Sequence, residues 1–290
     1  MNRRPLALTA LAVAGVLWGT SFIFGKIALE ELSVGHMLLY RFVIASVAFL
    51  PLMARGEMRL NRQDWLMVLG AAAIGVPLQF LLQFEGLAHT TASHAALMIG
   101  TAPVLIAVAA FFVFQERLRT SAWLALLGST IGVVLTVWGT GSTSSAGGPT
   151  LYGDLLVLAS LFAGVFWVLA SKRLMTRHSA IAVSGLITVI GTVMLAAWVL
   201  GTEGMPSATL HPATWIAVAA MGLLTTTCTI VLWNWGLSHV STGHAAAFIN
   251  LEPVVGALLG VLVLHETLGP FALVGGACIV AGAVVVSLQD

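Results

Sequence analysis

The stretch GLAHTTASHAALMIGTAPVLIAVAAFFVFQERL, Gly86 to Leu118, returns as GLSHVSTGHAAAFINLEPVVGALLGVLVLHETL, Gly236 to Leu268, after a shift of 150 residues with no gap. Gly86-Leu87, His89, His94-Ala95-Ala96, Ile99, Pro103-Val104, Ala107, Val113, Glu116 and Leu118 recur as Gly236-Leu237, His239, His244-Ala245-Ala246, Ile249, Pro253-Val254, Ala257, Val263, Glu266 and Leu268. The register continues through Ala122/Ala272, Gly132/Gly282 and Val134/Val284. Chance apolar similarity does not hold a register over such a length, so one unit occurs twice. An internal duplication in a chain of successive apolar segments is a signature of membrane transporters, whose substrate site lies where the two units meet.

Working outward, composition sets the solvent. Of 290 residues, 59% are apolar and only 8% charged, with a mean hydropathy of +1.02. Too few polar groups exist to cover a water-soluble globule, so lipid surrounds most of the chain. A spanning helix needs roughly 20 mainly apolar residues to cross a slab about 30 Å thick. Ten such segments are predicted: Leu6 to Leu29, Val34 to Met53, Asp64 to Phe84, Thr91 to Phe114, Ser121 to Gly139, Tyr152 to Ser171, Ser179 to Leu200, Ala213 to Trp235, Gly243 to Leu264 and Gly269 to Leu288. The first is too long for a secretory signal and is read as span 1. Cys228 and Cys278 both fall inside spans, which suggests neither a disulfide framework nor a thiolate metal site. A formal charge of +1 argues against nucleic acid as a partner.

Orientation follows from the cations. With the N-terminus inside, Arg3, Arg4, Arg55, Arg59, Arg62, Arg117, Arg119, Lys172, Arg173 and Arg177 all fall on the inner side and the outer loops receive none. The expected fold is therefore all-α and polytopic, with ten spans and both termini inside. Five spans per half is an odd number, so the second half enters the membrane upside down and the repeat is inverted. The expected units are residues 1–139 and 152–290, joined by an uncharged Gly/Ser-rich periplasmic linker at 140–151.

Polar groups inside the spans mark the candidate site. Most tryptophans lie near span ends, where an amphipathic indole prefers the headgroup level. Trp18 and Trp167 do not, and an indole N–H in hydrocarbon wants a partner, so both are expected to line a cavity. Aligning Gly19 with Gly164 sets Phe22 over Trp167. Glu252 is the deepest charge, beside Asn250 and immediately before Pro253; it is a candidate for binding a substrate ammonium or a proton, and equally for a protonated carboxyl bonded to broken backbone. Pro253 and its counterpart Pro103 each free a carbonyl one turn earlier, so spans 9 and 4 are expected to break near mid-membrane and serve as gating points. Gln79 and Gln83 share a face of span 3. His94, Met98 and Thr101 share a face of span 4. Lys26 is within snorkelling reach of the outer surface; Arg41 could snorkel, pair with Glu85 or attract an anion. Thr225, Thr226, Thr227 and Thr229 are read as bonding their own helix.

Enzymatic chemistry is not expected. His265-Glu266 opens like a zinc-protease helix, but the position for the second histidine is Gly269. The His89/His94 and His239/His244 pairs are five residues apart and share no helical face, so no metal and no other cofactor is expected. No nucleophile elbow, P-loop or dinucleotide fingerprint is present.

The duplicated five-span unit, the Trp18-Gly19-Thr20-Ser21-Phe22 run and the Pro-Val pairs followed by a span-ending Glu and then Leu together resemble the EamA family of the drug/metabolite transporter superfamily. The run Leu251-Glu252-Pro253-Val254, ending in Glu266-Thr267-Leu268, carries the likeness most closely. Many relatives place a glycine before the terminal glutamate, where this chain has Gln115 and His265. The resemblance covers essentially the whole chain and implies a multi-pass carrier of the bacterial inner membrane, its partners being the bilayer and a small molecule. A monomer is the expected assembly. Two buried cations, Lys26 and Arg41, are too few for a doubly anionic sugar phosphate. An amino acid, large and apolar or aromatic, suits Trp18, Phe22, Gln79, Gln83, His94, Met98, Trp167, Asn250 and Glu252 as a binding set, with export by alternating access around a midplane cavity. The competing readings are a lipophilic-cation exporter, with Glu252 holding the cation against the tryptophans, and a membrane scaffold that transports nothing.

Overall fold

The computed structural model describes residues 3–53, 60–114, 120–140, 148–239 and 248–287. Among these every regular element is helical. The first two spans are α1 (Arg4–Ala28) and α2 (Val34–Met53). The third is α3 (Arg62–Ala73) and α4 (Gln79–His89), joined by a π turn at Ile74–Leu78. The fourth is α5 (Ala92–Ile99) and α6 (Ala102–Phe114), interrupted at Gly100-Thr101. Then come α7 (Thr120–Thr140), α8 (Leu151–Met175) and α9 (Ala180–Thr202). Helices α10 (Pro212–Gly222) and α11 (Thr229–Leu237) are joined by a second π turn, Leu223–Cys228, and the chain closes with α12 (Leu251–Val263) and α13 (Pro270–Ser287).

Seven of these rods are long and apolar enough to cross a membrane, and the three remaining expected segments carry shorter apolar helices, Trp123–Thr136, Leu251–Val263 and Pro270–Gly282. Val47, Leu66, Phe112, Leu124, Phe162, Val193 and Ile216 stand exposed around the bundle, as side chains solvated by lipid do. Starts are written locally. Asn61 and Asp64 form a capping box on α3, Thr91 caps α5, Thr150 caps α8, and His211 followed by Pro212 opens α10.

The packing obeys the duplication. Helix α1 lies against α11 and α12, and α8 against α4 and α6; α2 packs on α9, and α7 on α13. Small residues permit the last contact: a Cβ on Gly275 would fall 2.5 Å from the Gly132 carbonyl oxygen, and one on Gly282 would fall 2.8 Å from that of Ala125. Hydrogen bonds also tie helix ends into one face. Lys26 Nζ donates to the Thr90 carbonyl (2.5 Å), Thr150 Oγ1 to that of His89 (2.5 Å), and the His211 N–H to Glu31 (2.9 Å). On the opposite face, Asp64 meets Arg177 (2.7 Å) and His178 (3.2 Å). The inversion is visible in one contact: Glu266, just past the end of α12, accepts from the N–H groups at the start of α5. Equivalent helices of the two units thus run in opposite directions. Glu116, the repeat partner of Glu266, and His244 lie outside the described residues.

Candidate functional site

Both π turns sit near the middle of their spans and are related by the same shift as the sequence repeat, since the Gln79 N–H bonds back to the Ile74 carbonyl and the Thr229 N–H to that of Leu224. In the first unit Pro77 supplies no N–H, and the helix widens around the gap. In the second, hydroxyls do the work: Thr225 and Thr226 both donate to the Met221 carbonyl (3.0 and 2.8 Å) and Thr227 to that of Gly222 (3.0 Å). Hydrocarbon offers no water to these carbonyls, so the threonine run makes the widened turn tolerable. Neither turn leaves a periodicity signal in the sequence.

Breaks in the fourth and ninth spans fall at equivalent places, Gly100-Thr101 and Asn250, each shortly before a proline. Pro103 sits in the first turn of α6 and Pro253 in that of α12, and a Cβ on Gly100 would lie 3.1 Å from Pro253 Cβ. Buried Asn250 occupies the N-cap position of α12, and Glu252 lies in its first turn, where the helix dipole favours an anion.

Three seams converge from these breaks. In the first, α1 meets α12 and α5: a Cβ on Gly19 would be 2.8 Å from the Glu252 carbonyl oxygen, and one on Gly256 would be 2.5 Å from Ala96 Cβ and 3.1 Å from Phe22 Cδ2. Trp18, on α1, packs against Trp233 of α11 with ring centroids 5.3 Å apart. Phe22 and Met98 are fully enclosed in the same apolar core. In the second seam, α4 meets α8. The Gln79 amide lies over Gly164, 3.1 Å from a Cβ built there, and the Trp167 ring lies over Gly75. Gln79 Oε1 and Trp167 Nε1 are both buried with no hydrogen-bond partner among the described residues, an acceptor and a donor left open on one seam. Gln83 is buried one turn further along α4. His94 belongs to a third, polar cluster at the start of α5, with Nδ1 3.6 Å from Asp154 Oδ2 of α8. Asp154 also accepts from Thr90 Oγ1 at 2.5 Å. The expected residues therefore divide among neighbouring seams instead of forming one ring.

Arg41 is the residue that sequence reasoning placed least well. Its side chain does not reach for the surface: it is 3% exposed, its guanidinium carbon lies 5.3, 4.8 and 5.4 Å from the ring centres of Phe42, Phe80 and Phe84, and Nε donates to Thr226 Oγ1 at 3.0 Å. Nη1 donates to Ser21 Oγ at 3.3 Å. Glu85 turns instead to His89, 3.2 Å away. The available signal was Phe80 and Phe84, four residues apart on one helical face. Asp154 was passed over because it stands at a span end.

Known proteins fit this architecture. The profile of the EamA-like transporter family matches residues 5–138 and 151–288. An uncharacterized transporter of Archaeoglobus fulgidus is 27% identical over 97% of this chain and 96% of its own length. The uncharacterized transporter YetK of Bacillus subtilis is 26% identical over 98% of this chain and 87% of its own. A probable terminal-alkyne amino-acid exporter of Streptantibioticus cattleyicolor is 28% identical over 97% and 93%. A solved structure described only as a crystal structure of protein superposes with a TM-score of 0.68 at 21% identity, over 97% of this chain and 96% of that one, which establishes a common fold.

Proposed function

We propose that this chain, which belongs to the EamA-like transporter family, exports amino acids, large apolar or aromatic ones, across a bacterial inner membrane. The observation that carries the reading is Glu252. Its carboxylate stands in the first turn of α12, directly after the interruption at Asn250, on a helix held against α1 at Gly19 and within one residue of the Trp18–Trp233 pair along α1. An acceptor of positive charge beside aromatic surface suits an ammonium group with an apolar side chain. Gln79 Oε1 and Trp167 Nε1 offer one further acceptor and one further donor. The relative named as a probable amino-acid exporter agrees in substrate class.

Transport by alternating access follows from the inverted units, with residues 1–139 and 152–290 exchanging conformations across the seams between α1, α4, α5, α8, α11 and α12. The Glu266 contact with α5 closes one face and has to release when that face opens. A second reading, export of lipophilic cations, draws on the same Glu252 and tryptophans.

Counterflow into proteoliposomes tests both. Labelled phenylalanine is supplied outside, and unlabelled amino acids or quaternary ammonium compounds are loaded inside. Accumulation driven by internal aromatic or large apolar amino acids, lost in Glu252→Gln while the variant stays monodisperse, is the expected result. Exchange of quaternary ammonium compounds without amino acids would transfer the assignment to the second reading.

A further inference from the structure

We propose that Arg41 is a specificity-determining residue that takes the carboxylate of the substrate, so that the transported species is a dipolar ion held between Arg41 and Glu252. The inference rests on the amino-acid reading above and names the group that reads the end of the molecule Glu252 does not.

Arg41 is sealed among Phe42, Phe80 and Phe84, and donates to the hydroxyls of Ser21 and Thr226. Among the described residues no carboxylate comes within ion-pair contact of the guanidinium. A guanidinium carries five N–H donors in a rigid fork matched to a carboxylate, and two neutral hydroxyls leave most of that fork open. A buried cation without a contacting anion is costly to hold, and in membrane proteins such groups mark substrate or ion paths. The π turn of the second unit bears directly on this. Thr226 donates its own proton to Met221 O, which leaves its oxygen free to receive Arg41 Nε, so the widened turn aims the fork.

Glu252 supplies the opposite charge, from the first turn of α12. The two are arranged around one stretch of α1: Gly19 abuts the Glu252 backbone and Ser21 bonds Arg41. Two residues along a helix is a rise of about 3 Å and a rotation of roughly 200°, so the two groups flank α1 at nearly one level and from different sides. An α-amino acid presents its ammonium and carboxylate on one carbon, and Trp18, on the same helix, offers its ring to an apolar side chain. A lipophilic cation gains nothing from Arg41 and is repelled by it.

The test is inhibition of phenylalanine counterflow by three compounds of one shape: unlabelled phenylalanine, phenethylamine, which lacks the carboxylate, and 3-phenylpropanoate, which lacks the ammonium. In the wild type, phenylalanine is expected to inhibit at a concentration about tenfold or more below that of either analogue. In Arg41→Gln the advantage over phenethylamine should vanish while the advantage over 3-phenylpropanoate persists. Arg41→Lys, which keeps the charge and loses the fork, should fall between. Should Arg41→Gln fail to fold, Thr226→Val, which removes the hydroxyl that aims the fork, should weaken phenylalanine and leave phenethylamine unchanged. Phenylalanine exchange with an unaltered ratio in these variants overturns the role of Arg41 alone. Equal inhibition by phenylalanine and phenethylamine in the wild type overturns it as well. Failure of any amino acid to exchange, with quaternary ammonium compounds exchanging, defeats the amino-acid reading itself.

Discussion

Removing the Glu266 side chain should loosen one face of the transporter far more than it destabilises the protein. The carboxylate accepts from the Ala92 N–H at 2.7 Å and the Ser93 N–H at 2.8 Å, two of the orphan donors that open α5. It reaches them because His265 adopts a positive φ of 55° that folds the chain back, and because Gly260 leaves room, a Cβ there lying 2.5 Å from Glu266 Oε2. Hydrogen bonds to a charged group are worth about 1.5–3 kcal/mol each, and part of the loss in Glu266→Ala is recovered by water at this half-buried site. Roughly 2–3 kcal/mol remains, which at about 1.4 kcal/mol per tenfold moves the closed-to-open balance of this face on the order of 30- to 150-fold. Ser93→Cys, in a background with Cys228 and Cys278 replaced by Ala, provides the reporter, because Ser93 is fully buried in the α5–α12 seam with Oγ bonded to the Ala257 carbonyl. A membrane-impermeant maleimide added from the linker side should react with the Glu266→Ala reporter at least about 30 times faster than with its parent. Equal labelling rates, with a lowered melting temperature, would show that Glu266 is only a cap for α5 and refute its role in closing the face.

Three further outcomes are expected. Gly256→Val should lower the melting temperature by several degrees in a tryptophan-fluorescence scan, since a Cβ already lies 2.5 Å from Ala96 Cβ and overpacking costs about 1–3 kcal/mol. His265→Gly should raise it slightly: relief of the left-handed conformation, about 1–2 kcal/mol, is offset in part by the greater freedom of glycine in the unfolded chain. The Thr214 hydroxyl and then the His211 N–H hold the Glu31 carboxyl below its ordinary value of 4.5, so the stabilisation is complete above that value and lost as pH falls through the lowered one. Hydrogen exchange of the His211 amide, as a protection factor, should show that loss in the wild type and none in Glu31→Gln.

The all-helical, duplicated and inverted architecture was legible because apolar run length and the shift between Gly86 and Gly236 are properties of the chain alone. The gap in span 4, at Gly100-Thr101, stands shortly before Pro103, whose missing N–H acts locally. What escaped was whatever depends on a partner in the other unit. Arg41 looks like a surface-seeking cation until α10 and α11 bring Thr226 beside it. Asp154, near the start of its helix, looks like an ordinary interfacial carboxylate until α5 sets His94 against it. At His265, one of the two places where this chain departs from the glycine of many relatives, the backbone itself needs the conformation that glycine supplies most cheaply. Gln79 and Trp167, singled out separately, fall on one seam, an adjacency that no one-dimensional pattern contains.

The duplication preserved backbone positions more strictly than chemistry, and this makes the two faces unlike. Asn61 and His211, related by the repeat, cap equivalent helices, and each helix start is docked on a loop of the other unit. At α10 the charge comes from the loop: Glu31 accepts from the His211 N–H at 2.9 Å and from Thr214 Oγ1 at 2.7 Å. At α3 it comes from the helix: Asp64, at the position equivalent to Thr214, receives Arg177 at 2.7 Å and His178 at 3.2 Å. A carboxylate held by one backbone amide and one hydroxyl depends little on ionic strength, whereas a pair with the half-exposed Arg177 guanidinium is screened by salt within about 10 Å at 0.1 M. The two docks therefore respond differently to the solution on their own side of the membrane. Under the alternating-access mechanism proposed above, their repeat-related places mean that a change in one without the other would bias the exchange of conformations in a fixed direction, which two identical docks could not do.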